Sequence, residues 1–136
     1  MLECLILGDS IGRGIANIRK ECSHLTEIGI NSVEWNRKYG NSMIMTELGA
    51  KTVIISLGIN DSNPERLEKE LRQLRGKIRN TDVVWILPSE KRQEQRNTVV
   101  MIAAVYNDRM IEIPYYGQDG IHPSIRGYDD IVKRTR

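Results

Sequence analysis

Histidine is scarce in this chain: His24 and His122 are the only two among 136 residues. Cysteine is as scarce, with Cys4 and Cys22 alone, and no C-x-x-C pair or Cys/His spacing suited to a metal occurs. A disulfide framework is therefore not indicated, reduced thiols are expected, and Cys4 reads as a small core hydrophobe. Neither sign of charge prevails. With 20 basic and 18 acidic residues the net charge is +2, which provides no strong field for a nucleic acid or an anionic membrane. The basic end, Lys133-Arg134-Thr135-Arg136, reads as a solvated tail. No apolar run nears the ~20 residues that cross a bilayer. Linker-like tracts, internal repeats and low-complexity segments are absent too. These absences argue against nucleic-acid-binding and membrane-spanning classes, leave metal-assisted hydrolysis by Asp9, Asp61, Asp119 and His122 with one imidazole ligand only, and point to a small molecule or a glycan ester as the expected partner.

What is present suits one domain over residues 1–136: 40% of the residues are hydrophobic, enough for a single core. Strand-like runs alternate with helical patterns. Strands are expected at Glu3 to Leu7, Leu25 to Ile30, Thr52 to Leu57, Asp82 to Leu87 and Met110 to Ile113. Helices are expected from about Gly14 to Cys22, after a turn at Gly12 and Gly14, and from Ser42 to Leu48, with Ser42 as N-cap and Gly49 as stop. Asn31 to Tyr39 shows no clear pattern. Asn63 and Pro64 open a third helix whose Leu67, Leu71, Leu74 and Ile78 share one face. Arg92 to Tyr106 and Ile125 to Val132 complete the set. This alternation implies an α/β fold, a three-layer α/β/α flavodoxin-like sandwich with a five-stranded, mainly parallel sheet in the order 2-1-3-4-5. Ligands of such sheets sit beyond the carboxyl ends of the strands.

Three short motifs fall at that edge. Gly8-Asp9-Ser10-Ile11 closes the first strand and Gly58-Ile59-Asn60-Asp61 the third. Asp119-Gly120-Ile121-His122-Pro123 follows the last. Each alone is an ordinary turn, but together they hold the parts of an acyl-transfer site. A serine hydroxyl attacks a carbonyl only once a base takes its proton, and His122 is the base at hand. Asp119, three residues earlier, can orient its ring and stabilise the imidazolium. The negative oxygen of the intermediate needs donors: the Ser10 backbone N–H at a helix start, the Asn60 side-chain amide, and a glycine N–H. Gly40 is the preferred glycine and Gly29 the rival. His24 has no comparable acidic partner and reads as a surface or packing residue. Asp9 and Asp61 read as structural, capping the following turns or bonding beneath the site.

These motifs resemble those of the SGNH (GDSL-type) hydrolase family. Ser10 matches the nucleophile of its first block, Asn60 the asparagine of its third, and His122 with Asp119 the base and aspartate of its last. In the second block, Gly40 fits by its place ahead of Asn41-Ser42, and Gly29 stays open as the alternative. The chain is similar to compact SGNH proteins of bacterial and phage genomes, in which Val84-Trp85-Ile86-Leu87-Pro88 and Gly127-Tyr128 have counterparts. The resemblance implies a serine esterase working through an acyl-enzyme, without metal or organic cofactor. No long apolar lid segment is visible, which favours a small acyl group such as acetyl on a carbohydrate. The alternative is a glycan-binding module on the same scaffold with weak or lost turnover. The start of the chain lacks the basic region and cleavage site of a secretory signal. The expected location is cytoplasmic, or virion-associated if the chain is phage-encoded.

Overall fold

Five apolar runs become the strands of one all-parallel sheet: β1 (Cys4–Gly8), β2 (Ser23–Thr26), β3 (Thr52–Ser56), β4 (Asp82–Ile86) and β5 (Arg109–Ile111). The computed structural model describes residues 3–47, 50–79 and 82–136. The strand order is β2-β1-β3-β4-β5, as the alternating pattern implies. Five helices connect and close the sheet: α1 (Ser10–Ile18), α2 (Ser32–Glu47), α3 (Pro64–Gly76), α4 (Gln93–Val105) and α5 (Ile125–Arg134).

The two-residue period of β1 divides the core into two layers. Leu5 and Leu7 face a cluster with Trp35 of α2, Leu67 and Leu71 of α3, and Val99 and Ile102 of α4. Cys4 and Ile6 face the opposite cluster, with Ile11 and Ile15 of α1 and Ile131 and Val132 of α5. Both faces of the sheet are covered, so β1 is buried along its whole length. The chain runs one way from β1 to β2 and the other from β1 to β3, which opens a crevice beyond the carboxyl ends of β1 and β3.

Several local expectations are corrected. Helix α1 starts at Ser10, not near Gly14, because the Asp9 side chain caps it by accepting from the Ile11 N–H at 3.0 Å. Gly12 and Gly14 therefore lie inside a helix. A Cβ on Gly14 would come within 2.4 Å of the Tyr128 ring, so glycine lets α1 and α5 approach. β2 ends at Thr26, and Glu27 to Ile30 form a turn in which Gly29 has a φ of +83°. Such a φ suits the third residue of a type II turn, and the Ile30 N–H reaches the Glu27 carbonyl at 3.3 Å.

The unpatterned stretch after Asn31 is the first half of α2. Asn31 accepts from the Glu34 N–H at 2.9 Å, and Trp35 is fully buried with its indole N–H on the Leu25 carbonyl at 2.9 Å. Ser42 is thus inside a helix and not its cap; Gly49 and Leu48 lie outside the described residues. Finally, Cys4 and Cys22 form a disulfide with their Cα atoms 4.7 Å apart, against the expectation of free thiols. It ties the start of β1 to the segment just before β2.

Candidate active site

Gly8 ends β1 with a φ of +148°, and a Cβ there would lie 2.0 Å from the Ser56 carbonyl oxygen. Only glycine allows β1 and β3 to close so tightly at their ends. Asp9, next in the chain, is fully buried. Its Oδ1 accepts from the Ile11 N–H and from the Ser56 hydroxyl at 3.1 Å, while Oδ2 has no hydrogen-bond partner among the described residues. Burial pushes this carboxyl up to about 7. Asp9 thus fixes the β1–α1 junction to β3, in keeping with a structural reading. Ser10 follows as the first helical residue. Its backbone N–H is among those that a helix start leaves without an intrahelical acceptor.

The Ser10 Oγ lies 2.8 Å from His122 Nε2. On the other side of the ring, His122 Nδ1 is 2.6 Å from Asp119 Oδ2. Asp119 Oδ1 accepts from the Ile121 and His122 backbone N–H groups, both at 2.9 Å. Those two backbone bonds, with the His122 side chain, hold the Asp119 carboxyl well below the usual carboxylate range. An ionised carboxylate only accepts, so His122 Nδ1 carries the proton and Nε2 is free to accept from the Ser10 hydroxyl. Residues 112 positions apart in sequence meet here because the β1–α1 and β5–α5 junctions share one edge of the sheet.

The turn carrying His122 is closed on itself. Tyr116 and Pro123 form an antiparallel bridge. The Gly117 N–H reaches the His122 carbonyl at 2.9 Å, and the Ser124 N–H reaches the Tyr115 carbonyl at 3.0 Å. Gly120 supplies the positive φ, +69°, that the turn requires. Ser124 then caps α5 by accepting from the Gly127 N–H at 3.1 Å. Tyr128, one turn into α5, lies against Gly14. Burial, with Asp9 and Asp119 near, pushes its phenol up to about 12 and keeps it protonated.

Asn60 stands exposed at the end of the β3 loop. Its amide nitrogen donates to the Ile30 carbonyl at 3.0 Å. An amide has two N–H bonds, so one remains available. Beneath it, Asp61 is buried and accepts from both the N–H and the hydroxyl of Ser32. Burial raises the Asp61 carboxyl, and the Ser32 bonds oppose that shift. Asn60 and Asp61 together hold the β2–α2 loop to the β3 loop.

The structure does not bring Gly40 to this edge. Gly40 is buried in the interior of α2, about 12 Å along the axis from Ser32 at 1.5 Å per residue, and faces Lys77 beyond the end of α3. Gly29 lies on the loop whose next residue, Ile30, is bonded to Asn60. His24 is exposed on β2 and bonds to Thr26 at 2.8 Å.

A further segment was not singled out in the sequence: Ser89 to Gln95, between β4 and the first turn of α4. The Ser89 hydroxyl donates to the Gly120 carbonyl, and Lys91 Nζ to the Asp119 carbonyl at 3.0 Å. On the other side, Arg92 Nε donates to the Ile59 carbonyl at 3.2 Å and Gln95 to the Asp61 carbonyl at 2.7 Å. One segment thereby braces both the His122 turn and the Asn60 turn. Its sequence signal is only its place after β4, at the same sheet edge. Among the described residues no cluster of three or more potential metal ligands occurs, and no helix is long and apolar enough to cross a membrane.

No family model matches the sequence, and no curated protein matches it. Solved structures do. A GDSL-like lipase from Bacteroides thetaiotaomicron superposes with a TM-score of 0.74 at 15% identity, over 96% of this chain and 83% of that one. A lipase/acylhydrolase from Enterococcus faecalis gives 0.73 at 14%, over 96% and 92%. The C-terminal catalytic domain of peptidoglycan O-acetyltransferase A from Streptococcus pneumoniae, with a methylsulfonyl adduct, gives 0.67 at 13%, over 97% and 91%. Over nearly its whole length, this chain has the fold shared by those GDSL-like lipases, acylhydrolases and acetyltransferase domain.

Proposed function

We propose that the protein is a serine esterase of the SGNH (GDSL-type) kind, acting on a small acyl ester through an acyl-enzyme. The observation that carries this reading is the continuous array Ser10–His122–Asp119, with separations of 2.8 and 2.6 Å. In this reading the Ser10 Oγ attacks the ester carbonyl carbon and passes its proton to His122 Nε2. The Ser10 N–H and the free amide hydrogen of Asn60 stabilise the oxyanion. Gly29 takes the place first considered for Gly40, since its loop is the one that Asn60 holds. The C–O bond to the alcohol then breaks, and His122 returns the proton to the departing oxygen. Water, deprotonated by His122, next attacks the acyl carbonyl and releases the acid and the free serine. Asp119 stays ionised throughout. The chemistry asks for no metal or organic cofactor.

The likeness to acylhydrolases and to an O-acetyltransferase domain supports acyl transfer as the reaction class. The acceptor in the second step, water or a hydroxyl, separates hydrolysis from transfer. The open, polar surroundings of the site support a small acyl group such as acetyl, with a carbohydrate as the alcohol. Treatment with a fluorophosphonate probe tests the proposal. The wild-type protein is expected to be labelled at Ser10, and S10A to be unlabelled while folded. Folded wild type that resists the probe would instead favour a glycan-binding module without turnover. Hydrolysis of acetyl esters in preference to long-chain esters checks the acyl group.

A further inference from the structure

Beside Asn60 runs an open groove of about 630 Å³, between the β3 loop and the start of α4. Asn60, Lys91, Arg92, Gln93, Glu94 and Gln95 line it. An acyl chain laid there would strip water from these groups and give them no partner, which is costly. A polar ligand would restore their hydrogen bonds.

The charges in the groove are unequal. Lys91 and Arg92 are cationic, and neither forms an ion pair among the described residues. Asp61, at the groove floor, is buried with its carboxylate bonded to Ser32. Glu94 is the remaining acid, exposed on α4. Both cations are positioned by backbone carbonyls, Lys91 by Asp119 and Arg92 by Ile59. Those bonds use one hydrogen of each, so two ammonium hydrogens and the guanidinium NH₂ groups remain to grip an anion. Holding the side chains in advance lowers the ordering cost of binding.

Position decides which half of the substrate carries that anion. Lys91 is bonded to the turn that bears His122. The departing alcohol oxygen must come within hydrogen-bond reach of His122 Nε2 to take its proton. An anion gripped by Lys91 is accordingly assigned to the alcohol side of the scissile bond. We propose that Lys91 and Arg92 form a subsite for a carboxylate or phosphate group on the alcohol part of the ester. This rests on the reading of Ser10 and His122 as an esterase pair.

The test uses 4-acetoxybenzoate and 4-acetoxyphenyl phosphate as anionic esters, with methyl 4-acetoxybenzoate as the neutral one. After correction for uncatalysed rates, wild type should prefer an anionic ester by about tenfold in kcat/KM, the size expected of one charge-assisted contact. The preference should shrink as salt rises. The double variant K91M/R92Q should lose the preference, and K91R should keep most of it. The carboxylate and phosphate arms show which anion fits better. An anionic-to-neutral ratio that is the same in wild type and double variant would overturn the subsite. A second arm is independent of turnover: S10A is titrated with 4-hydroxybenzoate and 4-hydroxyphenyl phosphate by calorimetry. Binding that is lost with K91M/R92Q supports the subsite even if the esterase reading falls for want of fluorophosphonate labelling. Absence of anion binding to folded S10A overturns the subsite even if esterase activity is present.

Discussion

The Ser89 hydroxyl donates to the Gly120 carbonyl across 2.5 Å, joining the end of β4 to the turn that carries His122. Ser89 is 3% exposed and Gly120 is half-buried, so this bond is partly shielded from water. The S89A variant removes this bond and the one from the Lys91 N–H, and leaves the turn held to the segment by Lys91 on the Asp119 carbonyl. In the proposed mechanism, misplacing His122 by about 1 Å is costly in rate. The expected result is a fall in kcat on the order of tenfold, with fluorophosphonate labelling slowed in proportion and stability lowered by about 1 kcal/mol. Unchanged labelling kinetics would show that the turn holds itself without Ser89.

In the proposed mechanism Asn60 donates to the oxyanion, and kinetics can separate that role from its bond to Ile30. N60A removes its amide hydrogens, and kcat for an acetyl ester should fall by roughly two to three orders of magnitude. Because the Ile30 bond goes too, stability should drop by about 1 kcal/mol. Steady-state kinetics beside urea unfolding checks both. A loss of stability without a loss of kcat would assign Asn60 to the scaffold.

Asp9 makes stability depend on pH in a direction that can be worked out. Its carboxyl titrates near 7 when folded, against an ordinary value of 3.8. Between about pH 4 and 7 the folded state holds a proton that the unfolded chain has released. Stability therefore falls as pH rises through that window, by a few kcal/mol in order of magnitude, and the loss is complete above it. Asp119 acts in the opposite sense: its carboxyl is held low, so its contribution is present above the ordinary carboxylate range and lost as pH falls below it. D9N keeps a capping oxygen but does not titrate. Urea unfolding should show D9N gaining on wild type between about pH 4 and 7 and levelling off above that window. Parallel curves would exclude Asp9 as the titrating group.

The Cys4–Cys22 disulfide spans a sequence separation of 18. Closing a loop of that length stabilises a fold by about 3 kcal/mol in the chain-entropy account. C22A should lose roughly that amount in urea, and intact mass before and after reduction should differ by two hydrogens. A free-thiol titration giving two thiols on unfolded, unreduced protein would remove the crosslink.

Much of the fold was legible because its signals are local. β3 and β4 are continuous β-branched or aromatic runs, and Asn63-Pro64 marks a helix start by chemistry alone. The three motif turns stood out only jointly: Ser, Asn and Asp are ordinary turn residues, but Ser10, Asn60, Asp119 and His122 at one sheet edge supply a hydroxyl, an amide, a carboxylate and an imidazole together. α2 was illegible by periodicity, since in its first half only Val33, Trp35 and Tyr39 are apolar or aromatic, too few to mark a repeating face. Asn31 and Glu34 carried a capping pattern that could have revealed it. Gly12 and Gly14 read as a turn because glycine weakens helices; contact with Thr26 and Tyr128 overrides that preference. Gly40 was misplaced for the same reason as α2: once the helix begins at Ser32, Gly40 is carried away from the edge. The bracing by Ser89, Lys91, Arg92 and Gln95 goes to backbone carbonyls, which any residue presents, so it leaves no mark in sequence.

The bond between Cys4 and Cys22 encloses β1 and α1, and with them Ser10, in a covalent ring of chain. His122 belongs to no such ring; it is anchored by its own turn and by the docking of α5 against α1. Partial opening of the molecule is therefore expected to separate His122 from the Ser10 hydroxyl while the crosslinked segment around Ser10 stays together. Under gentle denaturation, inactivation should run ahead of the disappearance of secondary structure.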